Sequence, residues 1–253
     1  MTQVLLITGG SRGIGAATAL LAATQGYAVA VNYTANSLAA DDVVRQIRDA
    51  GGTAITVRAD VSIEAEVLTM FAKVDAKLGH VTALVNNAGV VDVTSRVDAM
   101  SLDRLQRMFA INVFGTFMCA REAVKRMSTR YTGGSGGGCG GSIVNVSSAA
   151  ARLGAPGQYV DYAAAKGAID TFTVGLAKEV AAEGIRVNAV RPGIIETDIH
   201  ASGGLPNRAR DLAPLVPMQR AGTATEVAEA IVWLLSEKSS YTTGAIIDVA
   251  GGR

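Results

Sequence analysis

Val4-Leu5-Leu6-Ile7-Thr8-Gly9-Gly10-Ser11-Arg12-Gly13-Ile14-Gly15, followed at once by the Ala-rich run Ala16 to Ala23, is the stretch that decides the fold. A short apolar run reads as a buried strand, and the alanines after it read as a helix. The glycines at 9, 13 and 15 let the backbone turn tightly and come close to a pyrophosphate. Free N–H groups and the dipole at the helix amino end favour its negative charge. A strand before the turn and a helix after it are the context that such a motif requires. No Gly-Lys-Ser/Thr follows, which excludes a mononucleotide P-loop. The expected ligand is a dinucleotide.

The same alternation continues outward from this unit. Val4 to Thr8, Ala28 to Asn32, Ala54 to Arg58, Ala83 to Asn86, Ser142 to Ser147, Arg186 to Val190 and Ala245 to Val249 read as strands. They are apolar on both faces, as strands of a parallel sheet covered by helices on each side must be. Ser37 to Ala50, Ile63 to Leu78, Leu102 to Met127, Tyr159 to Glu183 and Thr225 to Ser236 read as the helices between them. Repeated βα units with right-handed crossovers predict an α/β, single-domain Rossmann fold, a doubly wound seven-stranded parallel sheet with helices on both faces. No linker interrupts the pattern, so residues 1–253 are expected to form one dinucleotide-binding and catalytic domain. The glycine-rich stretch Gly133 to Gly141 precedes the Ser142 strand, at the amino edge of the sheet and away from its ligand-binding edge. It reads as a flexible surface loop carrying an exposed Cys139.

Composition removes several classes of function. The chain has 253 residues, with 23 Lys+Arg against 22 Asp+Glu and a formal charge of +1. Nucleic-acid binding calls for a clustered basic surface, which this balance disfavours. Cys119, Cys139, His80 and His200 are too few and too scattered for a disulfide framework or a zinc site, so no metal is expected. The first residues lack the basic region of a signal peptide, and no apolar run approaches the roughly 20 residues that cross a bilayer. A cytoplasmic protein without a membrane partner is the expectation. Asn32-Tyr33-Thr34 and Asn145-Val146-Ser147 match a glycosylation pattern but fall in strand segments, and read as chance.

The choice of dinucleotide turns on the end of the second strand, where an acidic residue accepts hydrogen bonds from a free ribose 2′-hydroxyl. Here the chain reads Val31-Asn32-Tyr33-Thr34, and the nearest acid, Asp41, falls inside the next helix. Arg12, within the glycine turn, offers a guanidinium to a 2′-phosphate, a charge-assisted contact of roughly 1.5–3 kcal/mol. NADP(H) is therefore expected over NAD(H). Asp60-Val61, after the third strand, are placed for the adenine amine, and Asn86-Asn87-Ala88-Gly89, after the fourth, for the adenosine ribose side.

Tyr162 and Lys166 stand at i and i+4 of one helix and so share a face. Ser147-Ser148 close the preceding strand and deliver a hydroxyl to the carboxyl edge of the sheet, where a nicotinamide would lie. With these residues in view, the chain resembles the short-chain dehydrogenase/reductase family over nearly its whole length. The motifs carrying the resemblance are the Thr8-Gly9-x-x-x-Gly13-x-Gly15 turn, Asn86-Asn87-Ala88-Gly89, Asn112 in Ile111-Asn112-Val113, Ser148, Tyr162-x-x-x-Lys166, and Arg191-Pro192-Gly193 with Thr197. The resemblance, which extends to carbonyl reductases, glucose 1-dehydrogenase-like members and 3-oxoacyl-carrier-protein reductases, implies Asn112, Ser148, Tyr162 and Lys166 as catalytic residues. It also implies Ile195 and Thr197 near the nicotinamide, behind Pro192-Gly193.

One departure is local. The separation from Ser148 to Tyr162 is one residue longer than the family's usual spacing, which points to an insertion in Gly157-Gln158-Tyr159-Val160-Asp161. Ser148 is preferred as the catalytic serine for its place after the strand, with Ser147 as the fallback. Tyr159 is a decoy, because Ala163 stands where a paired lysine would be. The expected chemistry is hydride transfer between NADP(H) and a carbonyl or secondary alcohol. Ser148 stabilises charge on the oxygen, Tyr162 acts as acid or base, and Asn112 positions a water. An ammonium about 5 Å from the phenol is worth roughly 3 kcal/mol at an effective dielectric near 20, and so lowers the tyrosine by about two pKa units.

Residues from Ile194 to Arg220 carry three prolines and no strong period, and read as a mobile substrate lid with Ile199, His200, Leu205, Leu212 and Val216 facing a partly apolar pocket. Arg208 and Arg210 read as solvated in preference to holding an anionic carrier. Apolar residues on Leu102 to Met127 and Tyr159 to Glu183 exceed what one sheet face covers, and the resemblance implies a homotetramer built through them. A 3-oxoacyl-carrier-protein reductase and a non-catalytic NADP-binding regulator are the competing functions. The second is disfavoured because all four implied catalytic residues are kept.

Overall fold

β1 (Val4–Ile7) is buried along its whole length and has a parallel neighbour on each side, β2 (Ala28–Tyr33) and β4 (Ala83–Asn86). In the computed structural model, which describes residues 3–130, 138–197 and 203–253, these strands belong to a seven-stranded sheet of order β3-β2-β1-β4-β5-β6-β7. The others are β3 (Ala54–Arg58), β5 (Gly141–Val146), β6 (Ile185–Pro192) and β7 (Ile246–Val249), and every pairing is parallel. The chain runs from β1 outward to β3, then returns to lay β4 on the other side of β1. This reversal opens a crevice at the carboxyl ends of β1 and β4, where doubly wound sheets bind ligands.

Side-chain alternation along β1 divides the core. Leu5 and Ile7 face α1 (Gly13–Thr24), α2 (Ser37–Asp49) and α9 (Ala224–Leu235), packing with Val29, Val31, Ala19, Ala22 and Ile231. Val4 and Leu6 face the opposite layer, packing with Met70 and Phe71 of α3 (Glu64–Leu78), Ala123 of α5 (Gly115–Met127) and Ala177 of α7 (Val160–Val180). The seven strands start and stop within two residues of their predicted bounds.

Leu102 to Met127 departs from the single helix its pattern predicts. It is α4 (Leu102–Phe109), a π-helical turn (Ala110–Phe114) and α5. The wider turn is stabilised by Asn112, whose buried amide donates to the carbonyls of Val90 at 3.1 Å and Met108 at 3.0 Å. Such bulges recur at functional sites, where they re-aim a side chain. The apolar period survives an inserted residue too well for the break to be seen in sequence.

The described part of the segment from 194 to 220 contains secondary structure that its lack of period does not announce. A short helix, α8 (Arg208–Leu212), and a 3₁₀ turn (Ala213–Leu215) lie within it, and Ile194, Ala209, Val216 and Ala221 bury one another with Leu212 against them. Val216 and Leu212 thus serve the segment's own small core. Ile199 and His200 lie outside the described residues, as does most of the Gly133 to Gly141 stretch. Its end is described. Cys139 is exposed, and Gly140 and Gly141 enter the sheet at the amino edge, hydrogen-bonded to Met127 and Gly184. Among the described residues, no helix is long and apolar enough to cross a membrane.

Candidate active site

The glycine turn is held from three sides. Thr8 Oγ1 accepts from the backbone N–H groups of Asn87 and Ala88, both at 3.0 Å, locking the end of β1 to the end of β4. Asn87 Nδ2 donates to the carbonyls of Thr8 and Gly9 at 2.9 Å. Asn32 Oδ1 accepts from Gly9 N–H at 3.1 Å, while Nδ2 reaches the carbonyls of Val57 and Ala59. Buried in this way, Asn32 shapes the turn from beneath and has no part of its amide free to face the crevice. Tyr33 is half-buried beyond it. Gly9 and Gly13 have φ of +61° and +55°, and a Cβ on Gly15 would lie 2.5 Å from the Gly9 carbonyl oxygen. Close packing and left-handed backbone together demand these glycines.

The helix that follows is left free to bind an anion. The N-cap of α1 is Arg12, which makes no side-chain capping hydrogen bond, and its first turn holds no acid. Its orphan N–H groups, at the turn that follows β1, have no side-chain cap and stand next in sequence to an exposed guanidinium, an arrangement that suits an anion. Across the opening, the Thr197 methyl would stand 3.3 Å from a Cβ placed on Gly13, so the stem of the 194–220 segment leans on the turn. Ile195 bridges to Gly222, and Gly193 packs so tightly on Ala250 that a Cβ would come within 2.7 Å of its Cα. Asp60, after β3, accepts at Oδ1 from the N–H and hydroxyl of Ser62, and Val61 is buried against Gly115 of α5. These features fit a dinucleotide with its pyrophosphate on α1.

Tyr162 and Lys166 project from the first turns of α7 toward β5. The Tyr162 hydroxyl is hydrogen-bonded to Ser148, and the Lys166 Nζ lies 5.6 Å from the centroid of the Tyr162 ring. Nζ donates to the Val146 carbonyl at 2.7 Å. Of the two serines, Ser148 faces the phenol, while Ser147 is buried and donates to the Lys166 carbonyl at 3.2 Å, tying α7 to the strand end. Asn112 comes in from the opposite side. A Cβ on Gly89 would fall 2.8 Å from Asn112 Oδ1 and 3.5 Å from Lys166 Nζ, so Gly89 is the space between them. The four implied catalytic residues converge on one end of the sheet.

The electrostatics correct one expectation. Burial pushes the Tyr162 phenol up to about 12, with the Ser148 hydrogen bond opposing it, and pulls Lys166 down to about 8. Desolvation acts on both groups against their charged forms and outweighs the cation–phenolate attraction reckoned from sequence. The site is one in which phenol, not phenolate, is the resting state.

Several residues around it were missed or misread in the sequence. Asp161, next to Tyr162 and wholly buried, is gripped by Arg104 of α4, with Nε to Oδ2 at 2.8 Å and Nη2 to Oδ1 at 3.3 Å. Arg104 Nη1 also holds the Val93 carbonyl at 2.7 Å. Arg208 is not a solvated arginine. It lies 5.2 Å from the centre of the Tyr159 ring and donates to Gln158 Oε1 at 2.7 Å, while Tyr159 meets Tyr162 edge to face. Tyr159 is thus the seat of α8. Arg210 is exposed beside Asp211, as expected of it. The only sequence signal for Asp161 is a charge in an otherwise apolar stretch before Tyr162.

Comparison with known proteins decides the family. A family profile described as enoyl-(acyl carrier protein) reductase matches residues 9–253. The chain is 56% identical over 250 residues to "Uncharacterized oxidoreductase YgfF" of Escherichia coli, covering 99% of both. The chain belongs to the short-chain dehydrogenase/reductases. It is also similar to a cis-4-hydroxycyclohexanecarboxylate dehydrogenase of Sinomonas cyclohexanicum, at 40% identity over 99% of this chain and 96% of that protein. A 3-oxoacyl-[acyl-carrier-protein] reductase of Synechocystis is 39% identical, with 99% and 96% covered. Among solved structures, a short-chain dehydrogenase/reductase of Serratia marcescens superposes with a TM-score of 0.89 at 32% identity, covering 99% of this chain and 97% of that one. The protein is therefore an oxidoreductase of a family that uses a nicotinamide cofactor.

Proposed function

We propose that this short-chain dehydrogenase/reductase is an NADP(H)-dependent carbonyl reductase, interconverting a small carbonyl compound and its secondary alcohol. The observation that carries the reading is a buried phenol bonded to Ser148 and flanked by the Lys166 ammonium, at the sheet end that also holds the glycine turn. The turn and the α1 amino end bind the pyrophosphate, Arg12 the 2′-phosphate, Asp60 with Val61 the adenine, and Asn87 to Gly89 the adenosine ribose side. Pro192, Gly193, Ile195 and Thr197 border the nicotinamide. The nicotinamide supplies the hydride that a carbonyl carbon receives.

The remaining chemistry belongs to the chain's own residues. Ser148 donates a hydrogen bond to the carbonyl oxygen as negative charge grows there. Tyr162, held protonated by burial, gives its proton to that oxygen, and Lys166 stabilises the phenolate left behind. Asn112 holds the water through which the proton is replaced. The lid between residues 194 and 220 covers the substrate. Exposed Phe114, and Phe117 stacked 3.8 Å over Phe172, supply the apolar faces of a homotetramer. The absence of a basic surplus fits small-molecule substrates and no nucleic acid, and the cytoplasm is the proposed compartment.

A 3-oxoacyl-carrier-protein reductase is the second reading, favoured by the relatives that carry that name. A panel of ketones, aldoses and acyl thioesters followed by NADPH absorbance separates the two. Tyr162→Phe is expected to bind NADPH and to lose turnover by several orders of magnitude. Full retained activity in that variant would remove Tyr162 from the reaction.

A further inference from the structure

Arg208, the first residue of α8, is half-buried and has no acidic partner among the described residues. The arginines packed against α7 are compensated: Arg104 has Asp161 at 2.8 Å, and Arg191 has Asp170 at 2.8 Å. Asp211, three residues further along α8, is exposed and faces Arg210 at 3.6 Å. What holds the Arg208 guanidinium is neutral, the Gln158 amide oxygen at 2.7 Å and the Tyr159 ring, whose centre lies 5.2 Å away. A guanidinium carries N–H donors in a planar fork, and only Nη2 has an acceptor among the described residues. A half-buried cation in that condition suits a carboxylate, which the fork can bind through two parallel hydrogen bonds.

The surroundings place this cation beside the candidate active site. Tyr159 meets Tyr162 edge to face with ring centroids 6.2 Å apart, so the guanidinium stands one aromatic ring away from the phenol. Arg208 also lines a cavity of about 310 Å³ together with the apolar side chains of Leu205, Pro206 and Leu212, and with Asp211. The loop after β4 closes on the same place. Ser95 N–H donates to the Gln158 carbonyl at 2.8 Å, and a Cβ on Gly204 would come 3.7 Å from Val93. Three segments thus meet around Arg208, and they offer apolar surface, a proton donor and an uncompensated positive charge.

We propose that Arg208 is a specificity-determining residue that binds a carboxylate on the substrate, so that the carbonyl compounds reduced are oxo acids. The proposal rests on the reading of Tyr162 as the proton donor to a carbonyl. Stacked on Tyr159 and tied to Gln158, the guanidinium is set in place before any substrate arrives, which limits the freedom lost on binding. The intervening ring fixes the shape of the ligand: the acid and the carbonyl are separated by an apolar body, not adjacent.

The test compares 4-acetylbenzoate, which carries a ketone and a carboxylate across one benzene ring, with its neutral methyl ester. The wild type is expected to reduce the acid with NADPH at a kcat/KM at least about tenfold above that of the ester. Arg208→Met keeps a stem against Tyr159 and removes the fork. It should lower kcat/KM for the acid by roughly ten- to a hundredfold more than for the ester, with the excess in KM. Arg208→Lys, a point charge without the fork, should keep part of the preference. Equal losses for acid and ester in Arg208→Met identify a mere clasp between α8 and Tyr159 and overturn the proposal, as does a wild type with no preference for the acid. Calorimetric titration of the NADP+-saturated protein with benzoate and with benzamide reads the charge without turnover. Benzoate should bind the wild type more tightly and lose that advantage in Arg208→Met, and equal binding of the two to the wild type overturns the proposal. A wild type that reduces neither the acid nor the ester refutes the carbonyl-reductase reading, while the calorimetry still decides whether Arg208 holds a carboxylate.

Discussion

Replacing Arg104 by leucine strands the Asp161 carboxylate one residue before Tyr162. The Asp161 side chain is 0% exposed and Arg104 is 10% exposed, so water does little to screen the pair, and two of its contacts are within 3.3 Å. Removing one member of such a pair costs about 3–5 kcal/mol, because the survivor keeps its desolvation penalty and loses its compensation. In a domain of this size each kcal/mol moves the melting temperature by about 2–4 °C, so a fall of roughly 6–20 °C is expected. The loss of the Val93 contact adds to it, since the same guanidinium pins that loop. Calorimetry or a urea midpoint on the purified protein reads the effect. The double variant Arg104→Leu/Asp161→Leu removes both charges and should recover most of the loss. Turnover should fall in the single variant at temperatures where it remains folded, because Asp161 sets the start of the turn that bears Tyr162. A melting temperature within about 2 °C of wild type for Arg104→Leu would refute the argument that the pair is desolvated and structural.

Arg12→Ala is expected to weaken NADPH binding by roughly ten- to a hundredfold and to spare NADH, measured by fluorescence titration of both nucleotides. Equal losses for the two would show that Arg12 does not read the 2′-phosphate. Gly15→Ala drives a methyl to 2.5 Å from the Gly9 carbonyl oxygen and 2.6 Å from Asn87 Nδ2. It should weaken both nucleotides by at least tenfold. Unchanged affinity would mean that the turn yields without cost.

What was legible in the sequence follows the range of the forces involved. The strands could be read because parallel strands covered on both faces must be apolar throughout, and Leu5-Leu6-Ile7 is so by inspection. The glycine turn and the Tyr162–Lys166 pair are local, set by spacing along one segment, and the structure brings them together. The π turn at Asn112 hides inside a preserved apolar period. The Arg104–Asp161 contact joins residues 57 apart, and the Arg208–Gln158 contact joins residues 50 apart. No pattern along the chain announces either. The direction of the Tyr162 pKa shift was misjudged for a related reason. A lysine four residues away is visible in the sequence, whereas the desolvation that outweighs it arises from the entire surrounding packing.

The position of β1 between strands that arrive much later has a consequence for how the molecule comes into being. Its register with β4 joins Leu5 to Ala83, and Thr8 closes against Val85 across 77 residues. Until that length of polypeptide has left the ribosome, one side of the first hairpinless strand pair stays raw, a hydrogen-bonding edge open to the wrong neighbour. Assembly governed by such distant partners is slow. The crevice that defines the protein is therefore among the last parts of its amino-terminal half to be born.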